Sequence, residues 1–283
     1  MRKGLLLLLL VMVLGACSME KDAEAEQDSI NAEEKDDTAK SEENSEVEEE
    51  SAAEGEEENG NELVEEEAVQ QVSEPLYELS GNWAVQPIDD QANEKVALVT
   101  IDDAPDKFSV DMAKTLKELD APAIFFVNGH FLDTPEEEEK LKQIYEMGFA
   151  IGNHTFNHAS LPSLTEEEQY EEIVGLNDRV EEVIGERPEF FRAPFGQNTD
   201  YSKQLVEEEG MLLMNWTYGY DWEQDYQTAS AIADIMVESP LLADGANLLM
   251  HDREWTAEGL EDIVLGLEEK GFEILDPLLI KRP

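Results

Sequence analysis

From Leu76 onward, short apolar runs alternate with longer amphipathic, charge-rich stretches, and that alternation leaves few folds open. Strands are predicted over 95–101, 122–127, 149–152, 189–192, 211–216, 247–250 and 272–275, after a lead-in containing Trp83. Helices are predicted over 109–119, 135–147, 165–184, 200–209, 227–238 and 257–270. Thr165 with Glu168 three residues on reads as a capping box, and Gly148, Gly185, Gly210 and Gly271 stand where helices should stop. Strands alternating with helices argue for a parallel sheet. Seven repeats argue for a closed or nearly closed barrel, with an open doubly wound sheet as the alternative. Roughly 190 residues is short for a complete eight-fold barrel.

A parallel barrel puts its chemistry at the carboxyl ends of its strands, and the polar residues gather there. The first strand ends in Thr100-Ile101-Asp102-Asp103-Ala104-Pro105 and the third in Asn153-His154-Thr155-Phe156-Asn157-His158. The fourth runs into Phe191-Arg192-Ala193-Pro194-Phe195-Gly196, the fifth leads to Trp216 and then Asp221-Trp222, and the sixth ends Leu249-Met250-His251-Asp252. The chain has four histidines, and two stand four apart in the third motif. Imidazole is a common ligand for zinc and similar metals, and positions i and i+4 face one way if the backbone makes a helical turn. Alone, that spacing also fits two surface histidines. Five strand ends carrying ionisable residues are harder to attribute to chance.

In this order the five motifs resemble the polysaccharide deacetylase family, also called carbohydrate esterase family 4, over about residues 95–277. The resemblance implies a distorted seven-stranded (β/α) barrel that uses a divalent metal, most often Zn2+, with Co2+, Ni2+ or Mn2+ as alternatives, to remove acetyl groups from sugars. It implies Asp103, His154 and His158 as metal ligands, Asp102 as general base and Arg192 as the group that orients it. It implies the backbone N–H of Phe195 at the oxyanion and His251 as general acid, tuned by Asp221. Leu249 and Trp222 would wall the acetyl-methyl pocket and the sugar groove, and His130 would stand at the rim without a chemical role. The chain departs from the family at Ile101, usually aromatic, at Ala104, usually Gly, and at Phe195, usually Tyr. It also lacks an aspartate upstream of Asp221. Ala104 disfavours positive φ, so that turn is expected to differ.

Residues 1–17 read as a lipoprotein signal peptide. Arg2 and Lys3 precede the apolar Leu5 to Leu14, and Leu14-Gly15-Ala16-Cys17 resembles a lipobox, with Cys17 the acylated residue. The expected location is therefore extracytoplasmic, lipid-anchored on the outer face of a bacterial cell membrane. Residues 18–75 read as a disordered acidic tether, and 76–283 as the catalytic domain.

The 69 acids and 19 bases of the chain include 24 acids and five bases before Leu76. The 45 and 14 that remain leave the domain near −31, which excludes nucleic acid as a natural partner and fits work in high salt. Cys17 is the sole cysteine, so no disulfide forms within the chain, and a monomer is expected.

The reading is an N-deacetylase of a cell-wall polysaccharide of peptidoglycan type. A polysaccharide O-acetyl esterase and a non-catalytic glycan-binding envelope protein are the alternatives. Cys17→Ser is expected to move the protein from the membrane fraction into the medium; retention on the membrane would overturn the lipobox.

Overall fold

The computed structural model describes residues 74–283. The signal peptide read over 1–17, and all but the last two residues of the tether read over 18–75, lie outside the described residues. The chain forms β1 (Tyr77–Leu79), β2 (Val85–Pro87), β3 (Val96–Ala104), α1 (Ser109–Glu118), β4 (Ala123–Val127), α2 (Pro135–Glu146), β5 (Ala150–Asn153) and α3 (Glu166–Ile184). There follow β6 (Phe190–Phe191), α4 (Asp200–Glu208), β7 (Leu212–Leu213), α5 (Ala229–Glu238), β8 (Ala246–His251), α6 (Glu254–Glu269) and β9 (Glu273–Ile274). The larger sheet is parallel throughout, in the order β7-β6-β5-β4-β3-β8, with β9 joined only to Val96 and Ala97 of β3.

Its two edges are brought together just past β7. The Thr217 N–H donates to the Asn247 carbonyl and the Leu249 N–H to the Tyr218 carbonyl, each at 2.9 Å. The result is the distorted (β/α) barrel, closed by a bent segment rather than by a full strand.

Alternation along each strand divides the side chains between two cores. Val96 and Leu98 of β3, Ile124 and Phe126 of β4, Phe190 of β6 and Met214 form an inner cluster without helix residues. Ala97, Val99 and Ile101 instead pack outward with Met112, Leu116, Ile263 and other helix residues. Ile101, noted above as a departure from the pattern the resemblance implies, therefore belongs to the helix-facing core and not to the strand-end site.

The lead-in proves to be the antiparallel hairpin β1–β2, which the strand prediction lacked. Each strand is only three residues long, too short for a periodic signal. Tyr77 and Val85 complete the inner cluster together with Leu275 and Ile280, so the hairpin and the C-terminal residues stopper the amino-terminal mouth of the barrel. The other mouth, where the polar motifs end, stays open.

The helices match prediction within a few residues, and the capping boxes of α2 and α3 at Thr134 and Thr165 form as hydrogen-bonded pairs. Glu136 to Glu138 and Glu166 to Glu168 occupy the first turns of those helices, where the positive end of the helix dipole favours carboxylates. α6 starts at Glu254 rather than 257, because its polar first turn is held onto Asp221 by the side chains of Trp255 and Thr256. No helix among the described residues is long and apolar enough to cross a membrane.

Gly245 is where the hairpin presses on the barrel. Its φ is +74°, the Val85 N–H donates to its carbonyl at 2.8 Å, and an added Cβ would lie 1.8 Å from the Val85 carbonyl oxygen. Gly245→Ala is expected to cost about 3 kcal/mol in urea unfolding. A loss below about 1 kcal/mol would mean that the hairpin is not held tightly there.

Candidate active site

The open mouth brings together seven predicted residues: Asp102, Asp103, His154, His158, Arg192, Asp221 and His251. β3 delivers the two aspartates, the end of β5 the histidine pair, the end of β6 Arg192, and β8 His251, which stands beside Asp102 in register.

Asp103 Oδ1 lies 3.6 Å from His158 Nε2 and 4.0 Å from His154 Nε2, and the three donor atoms fall within 4.8 Å of one another. Donors about 2.1 Å from one tetrahedral cation stand roughly 3.4 Å apart, so small side-chain movements would converge this set. One carboxylate and two imidazoles are also the donor chemistry that a zinc-like cation takes. His154 Nδ1 donates to the Arg192 carbonyl at 2.7 Å, which leaves Nε2 as the free lone pair. Burial holds the His154 pKa below its usual value, against the pull of Asp102 and Asp103, so the ring stays neutral as a ligand must. Burial pushes Asp103 upward, but His251, His154, His158 and Arg253 outweigh it and hold that carboxyl below the usual range.

The i, i+4 spacing of the two histidines does not come from a helical turn. Residues 154 to 158 follow β5 in a non-helical turn with φ of +68° at Thr155 and +55° at His158. The rings still converge, 5.0 Å apart, because two left-handed residues reverse the backbone within four positions. Positive φ in the first motif falls at Asp103, at +62°, and not at Ala104.

Asp102 and Arg192 are both buried and meet at 2.6 Å through Oδ1 and Nη1. The other Asp102 oxygen is 3.5 Å from His154 Nε2, on the side of the donor set. Across the ladder, His251 Nδ1 is 2.7 Å from Asp221 Oδ1, and Asp221 Oδ2 accepts from the His251 N–H and from Thr256 Oγ1. Burial would lower the His251 pKa, but the hydrogen bond and charge of Asp221, with Asp102 and Asp103, raise it overall. Trp222 stands edge-on to His251 and Phe195 edge-on to His158, both residues exposed, while Leu249 is buried near Trp222. His130 hydrogen-bonds to the Phe156 carbonyl and is outside the cluster.

Several residues here were missed by the sequence reading. Arg253 Nη2 sits 3.0 Å from Asp103 Oδ2. Asp252 accepts from the N–H groups of Lys107, Phe108 and Ser109 and from Ser109 Oγ, fixing the loop that follows Asp103. Asn128 donates to the His154 and Thr155 carbonyls. Thr100 and Asn247, both fully buried, serve Arg192. A polar residue on the inner face of an apolar strand was the available signal for those two.

The fold and site define a parallel barrel with a His–His–carboxylate donor set between two buried ion pairs at its open end. The family model for polysaccharide deacetylase matches residues 89–214, and the chain carries a polysaccharide deacetylase domain, of the type of carbohydrate esterase family 4, over that part.

It is 29% identical over 188 residues to the peptidoglycan-N-acetylglucosamine deacetylase PgdA of Listeria monocytogenes, covering 65% of this chain and 38% of that protein. The first curated relatives are thus spanned over half of their length or less. Among solved structures, the peptidoglycan deacetylase PdaC of Bacillus subtilis aligns with a TM-score of 0.59 at 26% identity, over 65% of this chain and 89% of that one. A family pseudoenzyme from Bacillus anthracis aligns with a TM-score of 0.60 at 24% identity, over 66% of each chain, a likeness of fold alone.

Asp221→Asn is expected to move the His251 titration to lower pH in metal-free protein, read by NMR of the ring. Because the folded pKa is raised, the stabilisation from this pair is complete below about pH 6.5 and is lost as pH rises through the folded value. The wild-type urea midpoint should fall across that interval, and the variant should lose the slope. An unmoved titration would mean that Asp221 does not set the His251 proton.

Proposed function

We propose that this protein is a metal-dependent N-deacetylase of a cell-wall polysaccharide, with 76–283 as its catalytic domain. It works outside the cytoplasm on a lipid anchor at Cys17, and its substrate is N-acetylglucosamine of a peptidoglycan-type glycan. The observation that carries the reading is one rung of the barrel. Asp102, paired with a guanidinium, and His251, paired with a carboxylate, stand side by side in register next to the His–His–carboxylate donor set. The names of PgdA and PdaC support the substrate class.

Hydrolysis of an acetamide needs a nucleophilic water, a stabilised oxyanion and a proton for the departing amine. A divalent cation held by Asp103, His154 and His158, taken here as Zn2+, supplies Lewis acidity toward the acetyl oxygen and the water. Asp102 takes the proton of the water. Arg192 fixes one of its oxygens, so the second points at the donor set. The N–H of Phe195, in the tight turn Pro194–Gly196, is the protein group assigned to the oxyanion. His251 gives its proton to the leaving nitrogen, and the raised pKa that Asp221 supports keeps that proton available. Leu249 lines the acetyl pocket, and Trp222 and Phe195 flank the path of the sugar chain.

The test is acetate release by the full-length protein in high salt, zinc-loaded or chelator-stripped, from N-acetylglucosamine oligomers and from purified peptidoglycan. Release is expected with metal only, and Asp102→Asn should lower kcat by roughly 100-fold or more. No release by folded, metal-loaded protein would overturn the N-deacetylase. Release from O-acetylated glycan alone would assign the esterase instead.

A further inference from the structure

Three polar residues, Gln169, Glu172 and Asn177, are buried on α3 among the apolar residues of its packed side. Such a face normally carries apolar side chains, so each polar group there needs a partner. Gln169 is used by Thr199 Oγ1, and Asn177 by Asn153 Nδ2. Glu172 reaches the ligand turn itself. Its two oxygens accept from the N–H and the Nδ2 of Asn157, both at 2.8 Å, and its carbonyl accepts from the Phe156 N–H at 2.9 Å. Among the described residues no cationic side chain pairs with it. A buried carboxylate without a counter-ion is costly, and here two backbone-fixed donors offset that cost.

Asn157 immediately precedes His158. The two histidines of this turn are held unequally. The His154 ring is anchored through Nδ1 on the Arg192 carbonyl. The His158 ring has no such hydrogen bond among the described residues, although metal-ligating imidazoles usually have one. Apart from the edge contact with Phe195, its direction comes from its backbone, which sits at φ +55° three residues after Thr155 at +68°. Left-handed geometry at a β-branched residue is strained and persists only where the surroundings impose it. Asn128 and His130 hold the carbonyls of residues 154 to 156, and Glu172 holds the N–H groups of 156 and 157.

We infer that Glu172 is a positioning residue for the metal centre, fixing through Asn157 the direction of the otherwise unanchored ligand His158. The inference rests on the metal-dependent reading above. It makes α3, which carries no reacting group, part of the site.

Glu172→Gln keeps the shape but sets an NH2 against the NH2 of Asn157. Pairing it with Asn157→Asp restores both hydrogen bonds: the backbone N–H still donates, and the side-chain bond has donor and acceptor exchanged. The measurement is the dissociation constant for Zn2+ and Co2+ in full-length protein, by competition with a chromogenic chelator, with the Co2+ absorption band reporting ligand geometry. Each single variant should bind 10- to 100-fold more weakly with a changed band, and the pair should recover to within about threefold of wild type. Thermal unfolding of each variant shows that it is folded.

Unchanged affinity and spectrum in folded Glu172→Gln would overturn the assignment while leaving the proposed function intact. So would a loss that the pair does not recover. Wild-type protein that binds neither metal would overturn both.

Discussion

The upper half of the barrel depends on a guanidinium with no access to water. Arg192 Nη1 donates to Asp102 Oδ1 and Thr100 Oγ1, Nη2 to the Asn215 carbonyl and Asn247 Oδ1, and the group lies 4.3 Å over the Phe126 ring. Its own carbonyl receives His154 Nδ1 and its N–H donates to the Asn153 carbonyl. One residue thereby ties β3, β5, β8 and the segment after β7 to both Asp102 and His154. Burying a charge is expensive unless partners surround it. That expense explains why Thr100 and Asn247 interrupt strands whose inner faces are otherwise apolar. A lysine has neither the fork nor the planar face to make the same set of contacts.

Above that layer the backbone leaves regular geometry. Six described non-glycine residues have positive φ, and four of them, Asp103, Thr155, His158 and Phe195, belong to the site. Each departure aims a side chain or an N–H where the end of a regular strand would not, and each has a clamp beside it. Asp252 illustrates the economy of the arrangement. It follows His251 directly, collects three N–H groups at the start of α1, and donates its own N–H to the Asp102 carbonyl. The negative charge also sits at the positive end of the helix dipole. The His251 side of the site is thus bolted to the Asp102 side through Asp252, between β8 and α6.

Much of this was legible in the sequence. Apolar runs of strand length between capped amphipathic helices gave the barrel, because burial on both faces writes itself into composition. The motif residues were legible because reacting groups must sit at strand ends. Three things were not. The β1–β2 hairpin is too short to show a period. The path of the histidine turn was left open, because i, i+4 spacing fits a helical turn as well as two left-handed residues. Glu172, Asn128 and Asp252 carry no spacing signal at all, since their partners are backbone groups brought close only by the fold; in a chain this acidic, one more glutamate on a helix reads as solvated surface.

Fold likeness cannot decide whether such a barrel is an enzyme, since a pseudoenzyme aligns as well as a peptidoglycan deacetylase does. What separates an enzyme from a brace is a set of groups that a brace would have no reason to bury. Asp221 is fully buried, shared between the His251 ring, the His251 N–H and Thr256, while Arg192 is fully buried against Asp102. A glycan-binding scaffold would be at least as stable with apolar residues of similar volume in those places. Adjacent positions of one ladder instead carry a carboxylate beside a cation and an imidazole beside an anion. The imidazole is driven toward its protonated form by Asp221, and the carboxylate is paired with a guanidinium at 2.6 Å. Two titratable groups placed side by side in opposite electrostatic settings are the arrangement that acid–base catalysis requires, and packing alone gives no cause for it.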